Sequence, residues 1–491
     1  MPSDITIVGL GPGDPGQITR AAWAALEGAT HVYLRTRQHP CVESLPQGPT
    51  YHSFDALYEQ HASFDEVYAE IARQVVALGR QEGGVVYAVP GDPGMGEATV
   101  RLILAQAEAT GLRTRLVAGV SFLEPTCHAL DCDPFDGLQV CDGALLARRC
   151  HPPLDPDVPA LVVQVYNRQM AAECKLTLMS LYPDEHPVRL VRHAGLADES
   201  VRELPLYELD RQSDLDHLSS VYIAALPAPG SFSSYQDVMA RLRAPDGCPW
   251  DREQTHESLR GSLLEETYEV LEALDSGDMH ALCEELGDLL LQVLFHAQIA
   301  TENGDFHLVD SMAYAIQKLV RRHPHVFAGV QAEDAQAVLL NWEQIKRQER
   351  GEQNGAFTSM LASISAALPA LAQAEAIQHR VARVGFDWPT VDGVVAKLKE
   401  EMDEFSDAPE GPARAAELGD LLFTLVNLAR WHDIDPESAL REANLRFRRR
   451  FGRMEAQAHR QGMPLEQMSP AELDQLWEQA KAEDEPISGA Q

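Results

Sequence analysis

The chain of 491 residues is too long for one ordinary domain, and its apolar content of 45% is enough to build several hydrophobic cores. It carries 75 Asp and Glu against 40 Lys and Arg, a formal net charge of −35, and such a field repels phosphate. This charge excludes a protein that coats nucleic-acid backbones, but it is compatible with a small anionic ligand that brings its own metal ion.

The cysteine pattern and the amino terminus indicate a cytoplasmic protein. The eight cysteines include no CxxC pair, and four of them (Cys127, Cys132, Cys141 and Cys150) have irregular spacing that favours ordinary reduced thiols over a zinc site. The first residues, MPSDITIVGLGPGD, enter a strand at once and lack a signal-peptide pattern. No apolar run reaches the length of a membrane helix, so we expect no membrane association.

Residues 1–225 alternate short apolar runs with helical stretches, which predicts an α/β domain. The predicted strands are Ile5–Leu10, Val85–Val89, Leu161–Val165 and Val221–Ala225, and the predicted helices are Ala21–Glu27 and Thr99–Ala109.

Two glycine-rich loops follow predicted strands in this domain. The first is ITIVGLGPGD (5–14) and the second is VPGDPGMG (89–96). A single glycine-rich turn is a weak signal, because glycine permits a tight turn whether or not a ligand is bound. Two such loops at strand ends, however, are found where an open α/β sheet binds its ligand.

These loops, together with GVSFLEPTCHALDCDP (119–134), resemble the tetrapyrrole methylase family, most closely the version that is fused to MazG in YabN-like proteins. The resemblance implies a two-lobed α/β fold that binds S-adenosylmethionine between its lobes. The residues it implies for cofactor binding are Gly9, Gly11, Gly13, Asp14, Gly91, Asp92, Pro93, Ser121 and Phe122. No residue is an evident methyl-transfer base, so an active methylase and a ligand sensor or scaffold both remain open.

The remainder of the chain reads as long amphipathic helices in two similar parts. A Pro-, Gly- and Ser-rich linker is predicted at 226–236, and ERGEQNGAF (349–357) marks a second break. Glu400 follows Glu265, and Trp477 follows Trp342, by the same 135 residues. Duplication of one helical domain explains this offset. The predicted boundaries are 237–350 for the first module, 351–362 for a linker and 363–485 for the second module.

Each module carries an EExxE run followed by an ExxD run. Acids three or four positions apart share one helix face, and the residues between them are apolar, so these carboxylates border a core. Gathered carboxylates repel one another, and a divalent cation removes that conflict; oxygen ligands alone select Mg²⁺ or Mn²⁺. The alternative, an ordinary solvated helix surface, is disfavoured because the whole pattern occurs twice.

The acidic runs, together with CPWDREQTHESL (248–259), KLVRRHPHVFAG (318–329), NWEQIK (341–346) and VGFDWPT (384–390), resemble the MazG family of nucleoside triphosphate pyrophosphohydrolases. The resemblance implies two tandem all-α modules that dimerise. It implies Mg²⁺-dependent hydrolysis of nucleoside triphosphates to the monophosphate and pyrophosphate, with the C-terminal module commonly the active one. The implied metal ligands are Glu401, Glu404, Glu417 and Asp420 in the second module, and Glu266, Glu269, Glu285 and Asp288 in the first.

The resemblance also implies residues that contact the substrate in the second module. Lys397 is placed to meet a phosphate and Glu400 is a candidate general base, although a solvated helix residue is the alternative for Glu400. The implied substrate-binding residues are Asn427, Arg446, Arg449, Arg450 and Trp477. Two interpretations of Trp477 stay open, stacking on a base and packing in a core. Activity of the first module, with Lys318, Arg321 and Arg322 nearby, also stays open.

The sequence therefore predicts a multidomain protein of one α/β methylase-like domain and two all-α modules. The predicted function is Mg²⁺-dependent hydrolysis of nucleoside triphosphates by a homodimer, in the service of nucleotide-pool cleaning. One alternative is an S-adenosylmethionine-dependent methyltransferase whose helical half is a dimerisation or regulatory platform. Another is a non-catalytic regulator in which both halves only bind ligands. His193, His323 and His325 are interpreted as structural, because no HExxH or HxxxH motif contains them.

Overall fold

The computed structural model of the chain describes residues 4–61, 63–330 and 359–483, together with Asp334, Val338, Trp342 and Ile345. The chain forms two compact units, Met1–Glu253 and Gln254–Gln491. The predicted break at 349–357 and most of the NWEQIK motif lie outside the described residues, as do the last positions of the predicted second module.

The first sheet of the amino-terminal unit has five parallel strands in the order β3-β2-β4-β1-β5. Its strands are β1 (Ile5–Gly9), β2 (His31–Leu34), β3 (Thr50–Ser53), β4 (Val85–Val89) and β5 (Thr114–Val117). The connecting helices are α1 (Arg20–Glu27), α2 (Asp55–Gln60), α3 (Phe64–Gly79) and α4 (Ala98–Ala109). In β1, Ile5, Ile7 and Val8 are fully buried, as expected of a central strand covered on both faces. The parallel order brings the carboxyl ends of β1 and β4 to one edge.

The second sheet has the order β6-β7-β10-β8-β9, in which only the β6–β7 pair is parallel. Its strands are β6 (Gln139–Asp142), β7 (Ala160–Val163), β8 (Pro187–Arg192), β9 (Ser200–Pro205) and β10 (Ser219–Ile223). The helices of this part are α5 (Leu123–Leu130), α6 (Gly143–Ala147) and α7 (Arg168–Leu178). Two sheets, each with its own buried core, confirm the predicted α/β architecture.

Strand boundaries differ from the sequence predictions for local reasons. The strand predicted at 161–165 ends at Val163, because Gln164 adopts a positive φ of 63° that breaks the extended backbone. The strand predicted at 221–225 begins at Ser219, since two serines at its start are buried despite being polar. It ends at Ile223, and the carbonyl of the next residue accepts a hydrogen bond from His186 Nε2 at 2.9 Å.

The segment predicted as a linker, 226–236, is helical in its second half. Helix α8 spans Phe232–Arg243 and is followed by α9, Pro249–Glu253. Ser231 caps α8, and the carboxylate of Asp157 accepts hydrogen bonds from the backbone N–H groups of Gly230 and Ser231, both at 2.9 Å. Part of the Pro-, Gly- and Ser-rich composition therefore belongs to a helix start.

Every regular element described in the second unit is a helix, which confirms the predicted all-α class. Its helices are α10 (Arg260–Ser276), α11 (Met279–Asn303), α12 (Leu308–Arg322), α13 (Pro324–Phe327), α14 (Ala370–Ala382), α15 (Val391–Asp407), α16 (Pro412–Trp431), α17 (Pro436–Gln461) and α18 (Pro470–Ala482). Helix α12 stops before Pro324, which begins the next helix.

The sequence repeat becomes two similar helix pairs. Helix α10 packs against α11, and α15 packs in the same way against α16. The first pair turns at Gly277, whose φ is 71°, and Asp278 caps the helix that follows. The two modules touch where Arg441 Nε lies 2.9 Å from Asp275 Oδ2.

Two further sequence expectations concern membrane-spanning helices and the cysteines. Among the described residues, no helix is both long enough and apolar enough to cross a bilayer. All eight cysteines are free in this structure.

Candidate functional site

The acidic residues of the second module meet between α15 and α16. Glu401 on α15 and Glu417 and Asp420 on α16 each offer a carboxylate oxygen, and these oxygens lie within 4.8 Å of one another. Glu401 is only 5% exposed, so its carboxylate is held between the two helices. These three residues are called the second triad below.

Glu404, the fourth predicted ligand, is a neighbour of the second triad and lies outside its 4.8 Å group. The pKa of Glu404 is raised by burial, and the carboxylates of Glu401, Glu400 and Glu417 raise it further against the opposing effect of Lys397. The predicted set of four ligands is therefore a compact triad with a fourth carboxylate beside it.

Lys397 is the cation closest to this cluster in the described contacts. Its Nζ lies 2.9 Å from Glu401 Oε1 and 2.9 Å from Glu400 Oε1. Hydrogen bonds to Glu401 and then Glu400 hold the pKa of Lys397 above its usual range, so it is fully charged. Glu400 is largely exposed, and its described partner is this ammonium group.

An open cleft of ≈ 660 Å³ borders the acidic face of α15. The residues that line it are Ala396, Lys399, Glu400, Asp403, Glu404, Asp407, Ala408, Pro409, Ala413 and Glu417. The cleft gives a ligand direct access to Glu404 and Glu417.

The first module repeats the arrangement between α10 and α11. Carboxylate oxygens of Glu266, Glu285 and Asp288, called the first triad below, also lie within 4.8 Å of one another. Burial raises the pKa of Glu266, and Asp288 and Glu269 raise it further. Burial and the same Glu269 carboxylate raise the pKa of Glu285. Glu269 thus acts on the triad electrostatically but lies outside the 4.8 Å group.

Both triads fit a hard divalent cation. Their donors are oxygens only, the set that suits Mg²⁺ or Mn²⁺ rather than zinc. Burial, and after it the neighbouring carboxylates, raise the pKa values of Glu266, Glu285 and Glu404, and a divalent ion would offset the negative charge gathered there.

Asn427 belongs to a network that sequence reasoning missed. It is 5% exposed, and its Oδ1 accepts a hydrogen bond from Arg430 Nη2 at 3.0 Å. The same guanidinium group donates to Asp387 Oδ1 at 2.7 Å. Asp387 belongs to the VGFDWPT motif, so this motif is fixed to α16. The signal in the sequence was Arg430, three positions after Asn427 and hence on the same helix face.

The remaining predicted substrate residues lie on α17 and α18. Arg446 Nη1 is 3.6 Å from Glu442 Oε2 on its own helix, and Arg449 and Arg450 follow one turn later. Trp477 packs against an apolar cluster that contains Met454, and its ring centroid is 5.0 Å from that of Phe447. This is the core environment that was one of the two interpretations of Trp477.

In the amino-terminal unit the predicted cofactor loops interlock through glycines. Gly11 and Gly91 exchange two backbone hydrogen bonds of 3.1 and 2.8 Å, which join the loops after β1 and β4. A Cβ atom on Gly9 would lie 2.6 Å from the Gly91 carbonyl oxygen, and one on Gly119 would collide with the same oxygen. Three loops that are distant in sequence can approach this closely only because they carry no side chains there.

The predicted polar residues of these loops bond mainly to backbone. Asp92 accepts hydrogen bonds from Gly119 N at 3.0 Å and from Gly94 N at 2.7 Å. Asp14 accepts one from Gly16 N at 2.7 Å. These carboxylates therefore shape the loops. Pro93 lies next to the position that a Cβ atom on Gly9 would occupy, and Phe122 lies beside Gly96. The Ser121 hydroxyl group donates a hydrogen bond to the Glu124 carboxylate.

Two groups near these loops were not found from the sequence. His39 is buried, and its Nε2 lies 2.8 Å from the carbonyl oxygen of Gly11. Burial is the main reason that the pKa of His39 falls to about 4. Arg35 lies directly after β2, and Glu97 lies directly before α4. The Arg35 guanidinium group pairs with the buried Glu97 carboxylate at 3.0 Å. For Arg35 the available signal was a charged residue directly after an apolar strand.

His193 has the structural surroundings that were expected of it. Its ring nitrogens lie 2.5 Å from Asp198 Oδ2 and 2.6 Å from Asp216 Oδ2, and its φ is 54°. Hydrogen bonds to these two carboxylates raise the pKa of His193 against the opposing effect of burial.

Comparison with known proteins places both halves of the chain. The tetrapyrrole (corrin/porphyrin) methylase family matches residues 4–210, and the MazG nucleotide pyrophosphohydrolase domain matches residues 254–327. YabN of Bacillus subtilis strain 168, which is described as uncharacterised, is 42% identical over 490 residues, covering 98% of this chain and 99% of the relative. The nucleoside triphosphate pyrophosphohydrolase/pyrophosphatase MazG of Thermotoga maritima is 44% identical over 254 residues, covering 52% of this chain and 97% of the relative. The nucleoside triphosphate pyrophosphohydrolase of Escherichia coli K12 is 46% identical over 253 residues, covering 50% of this chain and 95% of the relative.

Proposed function

This chain belongs to the family of YabN-like proteins, in which a tetrapyrrole methylase domain precedes a MazG domain, and from this premise we propose that it hydrolyses nucleoside triphosphates to monophosphates and pyrophosphate with Mg²⁺. The observation that carries the proposal is the second triad. Glu401, Glu417 and Asp420 converge from two helices, and Lys397 lies within 2.9 Å of one of them.

The residues of the second module would act on a nucleotide by holding the metal ion and by contacting a phosphate oxygen. Mg²⁺, when bound, supplies neutralisation of the triphosphate oxygens during attack by water on the α-phosphorus. Glu401, Glu417 and Asp420 hold the ion, and Glu404 stands beside them at the cleft. The ammonium group of Lys397 is placed to exchange its ion pair with Glu401 for one with a phosphate oxygen, because both partners are anionic acceptors.

The biological setting is also part of the proposal. We place the activity in the cytoplasm, on the basis of the free thiols, and assign it to the cleaning of the nucleotide pool. Dimerisation through the helical modules is supported by α12, where large apolar side chains are exposed. Val309 is 62% exposed, Tyr314 68% and Ile316 59%. Such a surface gains stability when a second copy covers it.

The test is turnover of purified full-length protein on a panel of nucleoside triphosphates with Mg²⁺, with both products identified. We expect monophosphate and pyrophosphate, and loss of turnover in Glu401→Gln. Glu410→Gln is the matched control, since its side chain is 92% exposed between the same two helices. No turnover of any nucleotide would reject the proposal, and equal loss in both variants would remove the role assigned to Glu401.

A second candidate function, methyl transfer from S-adenosylmethionine, is favoured by the interlocked loops at Gly9, Gly91 and Gly119. They form a backbone cradle at the carboxyl edge of a parallel sheet, where such domains bind ligands. Calorimetric titration of the full chain with S-adenosylmethionine tests it. If S-adenosylmethionine binds and nucleotide turnover is unchanged, the two halves of the chain bind separate ligands. If S-adenosylmethionine does not bind, the amino-terminal unit is a scaffold or a sensor for another ligand.

A further inference from the structure

The two triads differ in the cation beside them. In the second module, Lys397 lies four positions before Glu401 and contacts it. The repeat places Ser262 at the same position before Glu266. In the described part of the chain, no ion pair is found for any of the three carboxylates of the first triad. No described cation therefore competes with an incoming metal ion for the first triad.

The first triad also has an additional oxygen donor. Gln292 lies on α11 one turn after Asp288, and it is 5% exposed. Its Nε2 is 3.4 Å from Glu266 Oε1, which places the amide at the edge of the triad. Its Oε1 is buried and has no hydrogen-bond partner among the described residues.

An unpartnered buried amide oxygen is costly unless a ligand satisfies it. Rotation of the Gln292 amide by a half-turn would direct this oxygen to the side of Glu266, where it joins three carboxylates. Carboxylates together with an amide carbonyl are an oxygen set that Ca²⁺, Mg²⁺ and Mn²⁺ accept. The second module has Thr424 at the corresponding position, whose shorter side chain carries no carbonyl oxygen.

We propose that the first triad, with Gln292, is a divalent-cation site that fills at lower metal concentration than the second triad and in the absence of nucleotide. Lys397 acts as an internal counter-ion at the second triad, and it competes with the metal until a phosphate draws it away. This inference rests on the proposed function for the role of the second triad, but its test does not require turnover.

The assignment gives the two modules different roles in one catalytic cycle. The first module retains its ion between turnovers and, through the Arg441–Asp275 contact between α17 and α10, remains attached to the second module. The second module takes up its ion together with the nucleotide. The second site is therefore filled only when nucleotide and metal ion bind to it together.

The experiment is a titration of the full chain with Mn²⁺ alone, followed by electron paramagnetic resonance of the free ion and by calorimetry. We expect two classes of site. Ser262→Lys should weaken the tight class about tenfold or more, because it adds a competing ammonium group at the triad. Gln292→Met, which keeps the volume and removes the oxygen, should weaken the same class by about tenfold.

The reciprocal variant acts on the other site. Lys397→Met should tighten the weak class by about tenfold, so that the two classes merge. Lys481→Met is the matched control, since it removes the same charge from α18, where the Nζ atom pairs with Glu478 at 2.6 Å, and it should shift neither class by more than about twofold.

Three results would overturn the inference: a single class in the unaltered chain, a tight class that survives both first-module variants, or equal effects of the two lysine variants. Circular dichroism of each variant shows whether it is folded, and the reciprocal tightening in Lys397→Met cannot arise from unfolding. A chain that shows both classes but hydrolyses no nucleotide would reject the proposed function and leave this inference standing.

Discussion

Arg35 and Glu97 form a buried ion pair at the carboxyl edge of the parallel sheet, with Arg35 Nη1 3.0 Å from Glu97 Oε2. The Glu97 side chain is 4% exposed, and Arg35 also donates to the hydroxyl groups of Tyr58 and Tyr68 at 3.2 and 3.3 Å. Glu97 follows the second glycine-rich loop. The pair therefore fixes one end of that loop to the strand beside it.

Replacement of Arg35 by methionine should destabilise the amino-terminal unit by about 3 kcal/mol, because it leaves the Glu97 carboxylate buried without its counter-ion. Urea unfolding followed by tryptophan fluorescence measures the change. Arg101→Met, at an exposed position on α4, is the control and should stay within about 0.5 kcal/mol of the unaltered chain. Equal stability of the Arg35 variant would show that the carboxylate is solvated when the arginine is absent.

Glu400→Gln and Glu401→Gln distinguish the two roles that the sequence left open for neighbouring acids. Glu401 is buried in the second triad, whereas Glu400 is exposed and pairs with Lys397. We expect Glu401→Gln to lower kcat/KM by at least about a hundredfold and Glu400→Gln by less than about tenfold. A loss in Glu400→Gln as large as that in Glu401→Gln would favour Glu400 as the general base. The measurement is initial rates at saturating Mg²⁺.

Gly119→Ala should destabilise the amino-terminal unit by at least about 2 kcal/mol, because its new methyl group would collide with the Gly91 carbonyl oxygen. The same change should abolish any binding of S-adenosylmethionine, since it separates the interlocked loops. Gly48→Ala is the control, because a Cβ atom at Gly48 meets nothing within 4 Å. Thermal unfolding and calorimetric titration provide the two readouts. A stable Gly119→Ala protein would show that the loops can separate at little cost.

His39 predicts a specific dependence of stability on pH. Burial, the main cause, lowers the pKa of His39 in the folded protein from 6.5 to about 4, so the unfolded chain binds the proton more readily. The folded protein should therefore lose up to about 3 kcal/mol from this residue as pH falls from 6.5 towards 4. Urea midpoints measured from pH 4 to pH 8 should fall less steeply in His39→Gln. Parallel curves for the two proteins would contradict the assignment.

Much of the fold could be predicted from the sequence because it depends on local periodicity. The strand at Val85–Val89 was predicted with its observed bounds, and the helix over 98–109 was predicted to within one residue. The prediction was less accurate where polar residues are buried. Ser219 and Ser220 begin a strand that hydropathy alone starts at Val221. Helices with a 3.6-residue pattern need no knowledge of their partners, whereas a strand end depends on its neighbours.

The candidate site divides in the same way. The spacing of Glu401, Glu417 and Asp420 indicated which acids share a face, but it did not indicate that Glu404 lies outside the group of three. The contact of Lys397 with Glu401 spans one helical turn and could have been expected. The contact of Arg430 with Asp387 joins residues 43 positions apart, and nothing in the local pattern links them.

Residue identity at short spacing was sufficient to predict the family, the order of the domains, the two acidic sets and the glycine loops. The sequence did not show that Gln292 reaches Glu266 through its Nε2 and leaves its Oε1 buried without a described partner, or that His39 contacts Gly11. The physical reason is that burial and hydrogen-bond partnership depend on how distant segments pack. A chain's local pattern specifies which face of an element is apolar, but only packing determines which polar atoms are left without water.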